Sequence, residues 1–194
     1  MSKEQILARI RANKPVAKAL PKVPLFPQEI TDLAATFTEL AEKGASRCIS
    51  LHDIQELPAL IEVHFPTAKQ IASSFPSFPG TLDLAQIEDP LELKDVDLAI
   101  IPGQLGVGEN AAIWVSETEC VHRVLPFITQ HLMIVLYKDQ LVWNLHEAYQ
   151  RLKIDETGYG VFIAGPSKTA DIEQSLVIGA QGARSLTIIL LDKK

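Results

Sequence analysis

Along the first half of the chain the apolar positions recur mostly at helical spacing. Ile6, Leu7 and Ile10 follow Ser2, an N-cap residue type, and predict a short amphipathic helix whose single stripe needs a partner surface. Pro15, Pro21, Pro24 and Pro27 then make an extended connector, so that first helix is expected to stand apart from the core. From Glu29, residues Ile30, Leu33, Phe37 and Leu40 return every three or four positions, with Gly44 at a helix C-cap. Arg47 to Leu51 reads as a short strand, and Asp53 to Pro66 as a helix interrupted near Pro58. Between Ala68 and Glu92, Pro76, Pro79, Gly80 and Pro90 break the chain into short pieces of no legible order.

The second half alternates differently. Val96 to Ile101 predicts a buried strand, Gly103 to Gly108 a glycine-rich turn, and Ala111 to Val115 and His131 to Tyr137 two further strands. Asp139 is expected to cap a helix through Leu141, Val142, Leu145, Ala148 and Leu152, followed by a strand from Val161 to Ala164 that ends at Gly165-Pro166. A helix with Ile172, Leu176 and Val177 inward comes next, and Ser185 to Leu191 is the continuous apolar run of a strand covered on both faces. The expectation is an α/β fold: a three-layer domain around a mostly parallel sheet over 28–194, preceded by a helix and Pro-rich arm over 1–27.

A length of 194 residues suits one core. The net charge of −6, with dispersed lysines and arginines, excludes a basic face for nucleic acid. Lys3, Arg9, Arg11 and Lys14 interrupt the apolar residues a signal peptide would need, and no stretch reaches the roughly 18 apolar residues of a spanning helix. A cytoplasmic protein without a membrane span is expected. Cys48 and Cys120 alone cannot form a disulfide scaffold or supply the four thiolates of an iron–sulfur cluster, so no cofactor is expected on this chain and any redox chemistry must be borrowed.

Two constellations carry candidate chemistry. In Gly103-Gln-Leu-Gly-Val-Gly-Glu-Asn110, Gly106 and Gly108 would let the backbone approach a ligand to which Glu109 and Asn110 add polar groups; a plain tight turn is the alternative. The glycine spacing and the strand-like residues that follow do not fit a dinucleotide fingerprint. In Gly165-Pro-Ser-Lys-Thr-Ala-Asp-Ile-Glu173, a strand end, a turn and a helix start would offer amides to an anion, with Lys168 adding charge and Ser167 and Thr169 hydroxyls. Asp171 and Glu173 equally suit simple helix capping, and the Lys-Thr pair is misplaced for a Walker A loop. Cys120 and His122 lack a second spaced ligand pair, so no metal site is expected. Trp114 and Trp143, inside apolar runs, are expected in the core.

The stretch from Phe162 to Leu190, with its I-A-G-P-S-K-T-A-D-I-E segment, glycine turn, G-A-R and closing strand, resembles the C-terminal part of the LUD-domain family of the lactate-utilisation protein C (LutC/YkgG-like) type. Upstream, G-E-N-A-A resembles that family's A-E-T-G-T segment, keeping Glu109 and losing the Thr-Gly-Thr. The resemblance implies a core similar to the NagB/RpiA/CoA-transferase-like fold. It also implies a part in oxidising L-lactate to pyruvate beside two partner proteins that carry the iron–sulfur clusters.

The functional expectation is therefore an accessory or ligand-binding subunit in which both loops line one pocket for a small carboxylate or phosphate. Glu109 would be the catalytic or polar group, Asn110 would orient the ligand, Lys168 would pair its charge, and Ser167 and Thr169 would donate hydrogen bonds beside Gly106, Gly108 and Gly165. A free-standing enzyme on an acyl-CoA or sugar phosphate and a non-catalytic scaffold are the rival readings.

Overall fold

Five parallel strands form the centre of the computed structural model, which describes residues 2–19, 21, 24, 32–154, 158–169 and 177–192. Their order is β1 (Arg47–Leu51), β11 (Ser185–Leu191), β6 (His131–Tyr137), β3 (Leu98–Pro102) and β2 (Ile71–Ser73). β11 pairs in parallel with both β1 and β6, and period-two alternation divides its side chains between two cores. Leu186, Ile188 and Leu190 enter one; Ile189 and Leu191 enter the other. The near-continuous apolar run is thus that of a strand covered on both faces.

One face is covered by α3 (Leu57–His64), preceded by a 3-10 turn over Ile54–Glu56, with Pro58 in the first helical turn where its missing N–H costs nothing. Leu57, Leu60 and Ile61 pack there against Leu98, Ile100, Met133, Val135 and Ile189. The other face receives α2 (Leu33–Lys43) and a second, four-stranded sheet ordered β7 (Leu141–Val142), β4 (Leu105–Val107), β5 (Ala112–Ser116) and β8 (Gly160–Ile163). Phe37 and Ala41 of α2 and Ile113 and Val115 of β5 close this core. The outer face of the second sheet, with Leu105, Val107 and Trp114, is covered by α6 (Leu145–Arg151) through Ala148.

The mostly parallel α/β core, the Arg47–Leu51 and His131–Tyr137 strands and an interruption near Pro58, where a 3-10 turn gives way to α3, stand as expected. Several local expectations do not. Gly103–Gly108 is no simple turn: Leu105–Val107 is a strand buried at all three positions, and the chain turns only at 108–111. Asp139 caps nothing in α6; Lys138–Gln140 is a 3-10 turn, Leu141 and Val142 are in β7, and Asn144 accepts the Glu147 N–H as the true cap. Val177 is not inward on a helix, because Val177–Ile178 forms β10 and pairs antiparallel with β9 (Lys168–Thr169), leaving Val177 exposed. Ile172, Leu176, Asp171 and Glu173 lie outside the described residues. Trp114 is buried against Phe162, whereas Trp143 is half-buried.

The α2 C-terminus refines the expected cap. Gly44 is the cap residue with an ordinary φ of −75°, and the following Ala45 takes the left-handed φ of 66°. Ala45 N–H donates to Glu42 O and Ser46 N–H to Ala41 O, which completes a Schellman turn with alanine at the position usually held by glycine. At the other terminus α1 (Lys3–Ala12) is capped by Ser2, and its stripe of Ile6, Leu7 and Ile10 is exposed.

Candidate functional site

The first expected constellation is a structural corner. The Glu109 carboxylate accepts the Leu145 N–H at 2.9 Å, at the start of α6, and its own N–H donates to Trp143 O at 2.8 Å. Asn110 accepts the Ala112 N–H at 3.0 Å, closing the turn in which Ala111 takes a φ of 54°. Gly106 and Gly108 are sites of packing. A Cβ on Gly106 would sit 2.6 Å from methyls of Leu136 and Leu141, and one on Gly108 would sit 2.4 Å from Leu33.

The second constellation is a clamp. Gly165 takes a φ of +81°, open to glycine, and a Cβ there would lie 2.7 Å from Gly44 O. The Lys168 ammonium donates to that same Gly44 carbonyl. Ser167 N–H donates to Ala183 O at 2.9 Å and Ser167 O accepts the Gly179 N–H at 3.0 Å, while the Thr169 hydroxyl donates to Val177 O. Gly165, Ser167 and Lys168 also line a cleft of about 280 Å³ with Phe127, Phe162 and Gly182.

Among the described residues the two constellations stand apart. Gly108 packs on Leu33 at the start of α2 and Gly165 on Gly44 at its end. Eleven residues at 1.5 Å each put about 16 Å of helix between them.

A larger cavity, of about 650 Å³, lies directly beyond the clamp. Its origin is a mismatch of lengths. The eight residues of α3 span about 12 Å, whereas the seven-residue strands β6 and β11 span about 23 Å, so α3 is too short to cover those two strands along their full length. At the amino edge β1, β6 and β11 begin with the polar residues Arg47, His131 and Ser185.

Arg47, His131, Ser185 and Thr187 share the α3-facing side, in phase with Ile49, Met133 and Ile189. Arg184 and Asp97 stand just before β11 and β3. Arg47 donates to Nδ1 of His64 at 2.9 Å, because a guanidinium only donates. Nδ1 of His131 and the Ser185 hydroxyl are 2.7 Å apart, and Phe65 tilts against the His131 ring. Asp97 is held by the N–H groups of Gln70 and Lys69, which keep its carboxyl below the ordinary aspartate range. Burial, and then the Arg184 charge, hold His131 below the usual histidine value, opposed by Asp97.

Two groups in this wall are uncommitted. The Arg184 guanidinium has no hydrogen bond or ion pair among the described residues, and its exposed side chain is anchored by the Arg184 N–H on Gln130 O. The buried Ser46 hydroxyl has no hydrogen-bond partner among the described residues. No motif marks these residues, since Arg47, Asp97, His131 and Arg184 are far apart in sequence. The legible signal was positional: each immediately precedes or opens an apolar strand run, and a parallel sheet gathers all such starts at one edge.

The cysteines are inert by comparison. Burial pushes the Cys120 thiol up to about 12, with Glu119 adding to it, and burial also raises Cys48 against the hydrogen bond from Thr38. His122 pairs through Nε2 with Leu84 O, and the described residues contain no group of three or more His, Cys, Asp or Glu placed to hold a metal. Nor do they contain a helix long and apolar enough to cross a membrane.

A mostly parallel α/β core backed by a second sheet, with a cationic cavity at its amino edge, defines the structural class. The model of the LUD domain matches residues 29–191, and the chain belongs to the LUD-domain family. It is 27% identical over 104 residues to Lactate utilization protein C of Shouchella clausii, an alignment covering 50% of this chain and 45% of that one. It is 23% identical over 111 residues to Lactate utilization protein C of Oceanobacillus iheyensis, covering 54% and 48%. The chain thus spans about half the length of the curated relatives it matches. A DUF162 family protein from Deinococcus radiodurans shares the fold, with a TM-score of 0.65 at 15% identity over 85% of this chain and 99% of that one.

Proposed function

We propose that this chain is an anion-binding, accessory component of an L-lactate-utilisation system, acting in the cytoplasm beside two iron–sulfur proteins that carry the electron-transfer chemistry. The observation that carries the binding role is the amino-edge cavity, where Arg47, Arg184, His64 and His131 face a single carboxylate, Asp97, on a chain whose net charge is −6. Lactate utilisation enters through the names of the two relatives. The reliance on outside clusters is supported by the presence of only two cysteines in this sequence, short of the four thiolates a cluster normally takes.

In this reading the sequence motif acts through the cavity walls. Lys168 and Gly165 fix the Gly44–Ser46 wall, and Ser167 fixes the Ala183–Arg184 wall through Ala183 O, with Thr169 securing the clamp's own strand pair. Glu109, Asn110, Gly106 and Gly108 set the corner between the second sheet and α6 and have no contact with ligand. The test is growth on L-lactate as sole carbon source of a strain lacking this gene. Loss of growth that the wild-type gene restores is expected; undiminished growth in a strain with no other lactate route would overturn the assignment.

A further inference from the structure

The size and charge of the amino-edge cavity are poorly matched to lactate itself. Its volume of about 650 Å³, in a cleft open to solvent, is more than lactate, a three-carbon acid with one negative charge, would fill. Two permanent cations serve the cavity, Arg47 on β1 and Arg184 before β11. Arg47 is in register with Thr187, three residues beyond Arg184 on the neighbouring strand. At about 3.3 Å per residue and 4.8 Å between strands their Cα atoms are roughly 11 Å apart, within the combined reach of two arginine side chains.

The carbonyl end of α3 also points toward the cavity, but its partial charge is about half an elementary charge against the full charge of Arg47 beside it. The Phe65 ring and Ala68 give an apolar wall next to the cations, and Ser46, whose hydroxyl has no partner among the described residues, lines the same cavity.

Resting on the anion-binding reading above, we infer that the cavity binds an organic phosphate, a phosphomonoester whose phosphate lies between Arg47 and Arg184 and whose body lies against Phe65. The bidentate fork of each guanidinium matches phosphate oxygens, and His131, with Ser185 behind its Nδ1, faces the same space as a further donor once protonated. The ligand is then an effector or cofactor of the lactate system rather than the three-carbon substrate.

The test is calorimetric titration of the purified protein with phenyl phosphate, benzoate and L-lactate, in wild type, Arg184→Ala and Arg47→Ala. Both arginines are exposed, and thermal unfolding checks that each variant is folded. Phenyl phosphate is expected to bind at least about tenfold more tightly than benzoate or L-lactate, with a further loss of tenfold or more in each variant. Lactate or benzoate binding that depends on Arg184, without phenyl phosphate binding, would overturn the phosphate inference and leave the anion-binding reading standing. Phenyl phosphate binding unaffected by both substitutions would overturn the placement, and no binding of any probe would overturn both.

Discussion

Lys168 and Gly44 lie 124 positions apart in sequence and are joined by a hydrogen bond from the ammonium to the Gly44 carbonyl. That bond ties the loop after β8 to the end of α2, and so fixes the wall of the cavity formed by Ala45, Ser46 and Arg47. Gly165 allows the approach, because any larger residue would place its Cβ against the same carbonyl while holding a φ of +81°. Gly165→Ala is expected to lower unfolding stability by roughly 1–3 kcal/mol. Lys168→Met, at an exposed site, is expected to cost no more than about 1 kcal/mol. Urea denaturation of the two variants measures both, and a harmless Gly165→Ala would contradict the clamp geometry.

Glu109 separates a catalytic role from a structural one. Its Oε1 accepts the Leu145 N–H, so Glu109→Gln retains an acceptor and is expected to leave stability within about 0.5 kcal/mol of wild type. Glu109→Ala removes the acceptor from a helix start and is expected to cost about 1 kcal/mol. Chemical denaturation gives the stability of each, and growth on L-lactate gives function. A Gln variant that is fully folded yet unable to support growth would restore Glu109 as a chemical group.

Acid sensitivity follows from His131. Burial and Arg184 lower its folded-state pKa, against the opposing charge of Asp97, with Arg47 and His64 completing the titratable and charged groups of the cavity. The unfolded chain therefore binds the proton first, so stability falls as pH drops through about 6.5 and levels off once the folded histidine is itself protonated. His131→Gln is expected to flatten that segment of a Tm-against-pH curve. An equally steep fall in the variant would assign the acid sensitivity elsewhere.

Much of the central sheet was legible because its strands are either continuous apolar runs, as in Ser185–Leu191, or short runs bounded by polar residues, as in Arg47–Leu51. The second sheet was not announced, because β4 and β7 are only three and two residues long and their hydrophobic residues read equally as turn or helix. Glycine misled for a related reason. Gly106 and Gly108 look like ligand-approach positions in sequence, but only the tertiary packing of Leu136, Leu141 and Leu33 shows that side chains of the same molecule fill the space. The Gly165–Thr169 motif was found, and it bonds to Gly44 and Ala183 beside a cavity to which Arg47, Asp97, His131 and Arg184 come from four strand starts. No local spacing could bring those residues together, since their convergence depends on strand order.

On the proposed reading, function resides in the amino-edge cavity rather than at the Glu109 corner. Complementation of a strain lacking this gene, grown on L-lactate, with the Arg47→Ala/Arg184→Ala double variant and with Glu109→Gln tests it most directly, after each protein is shown to be folded and present at wild-type level. Glu109→Gln is expected to restore growth and the double variant is expected to fail. Growth restored by the double variant and lost with Glu109→Gln would contradict that reading.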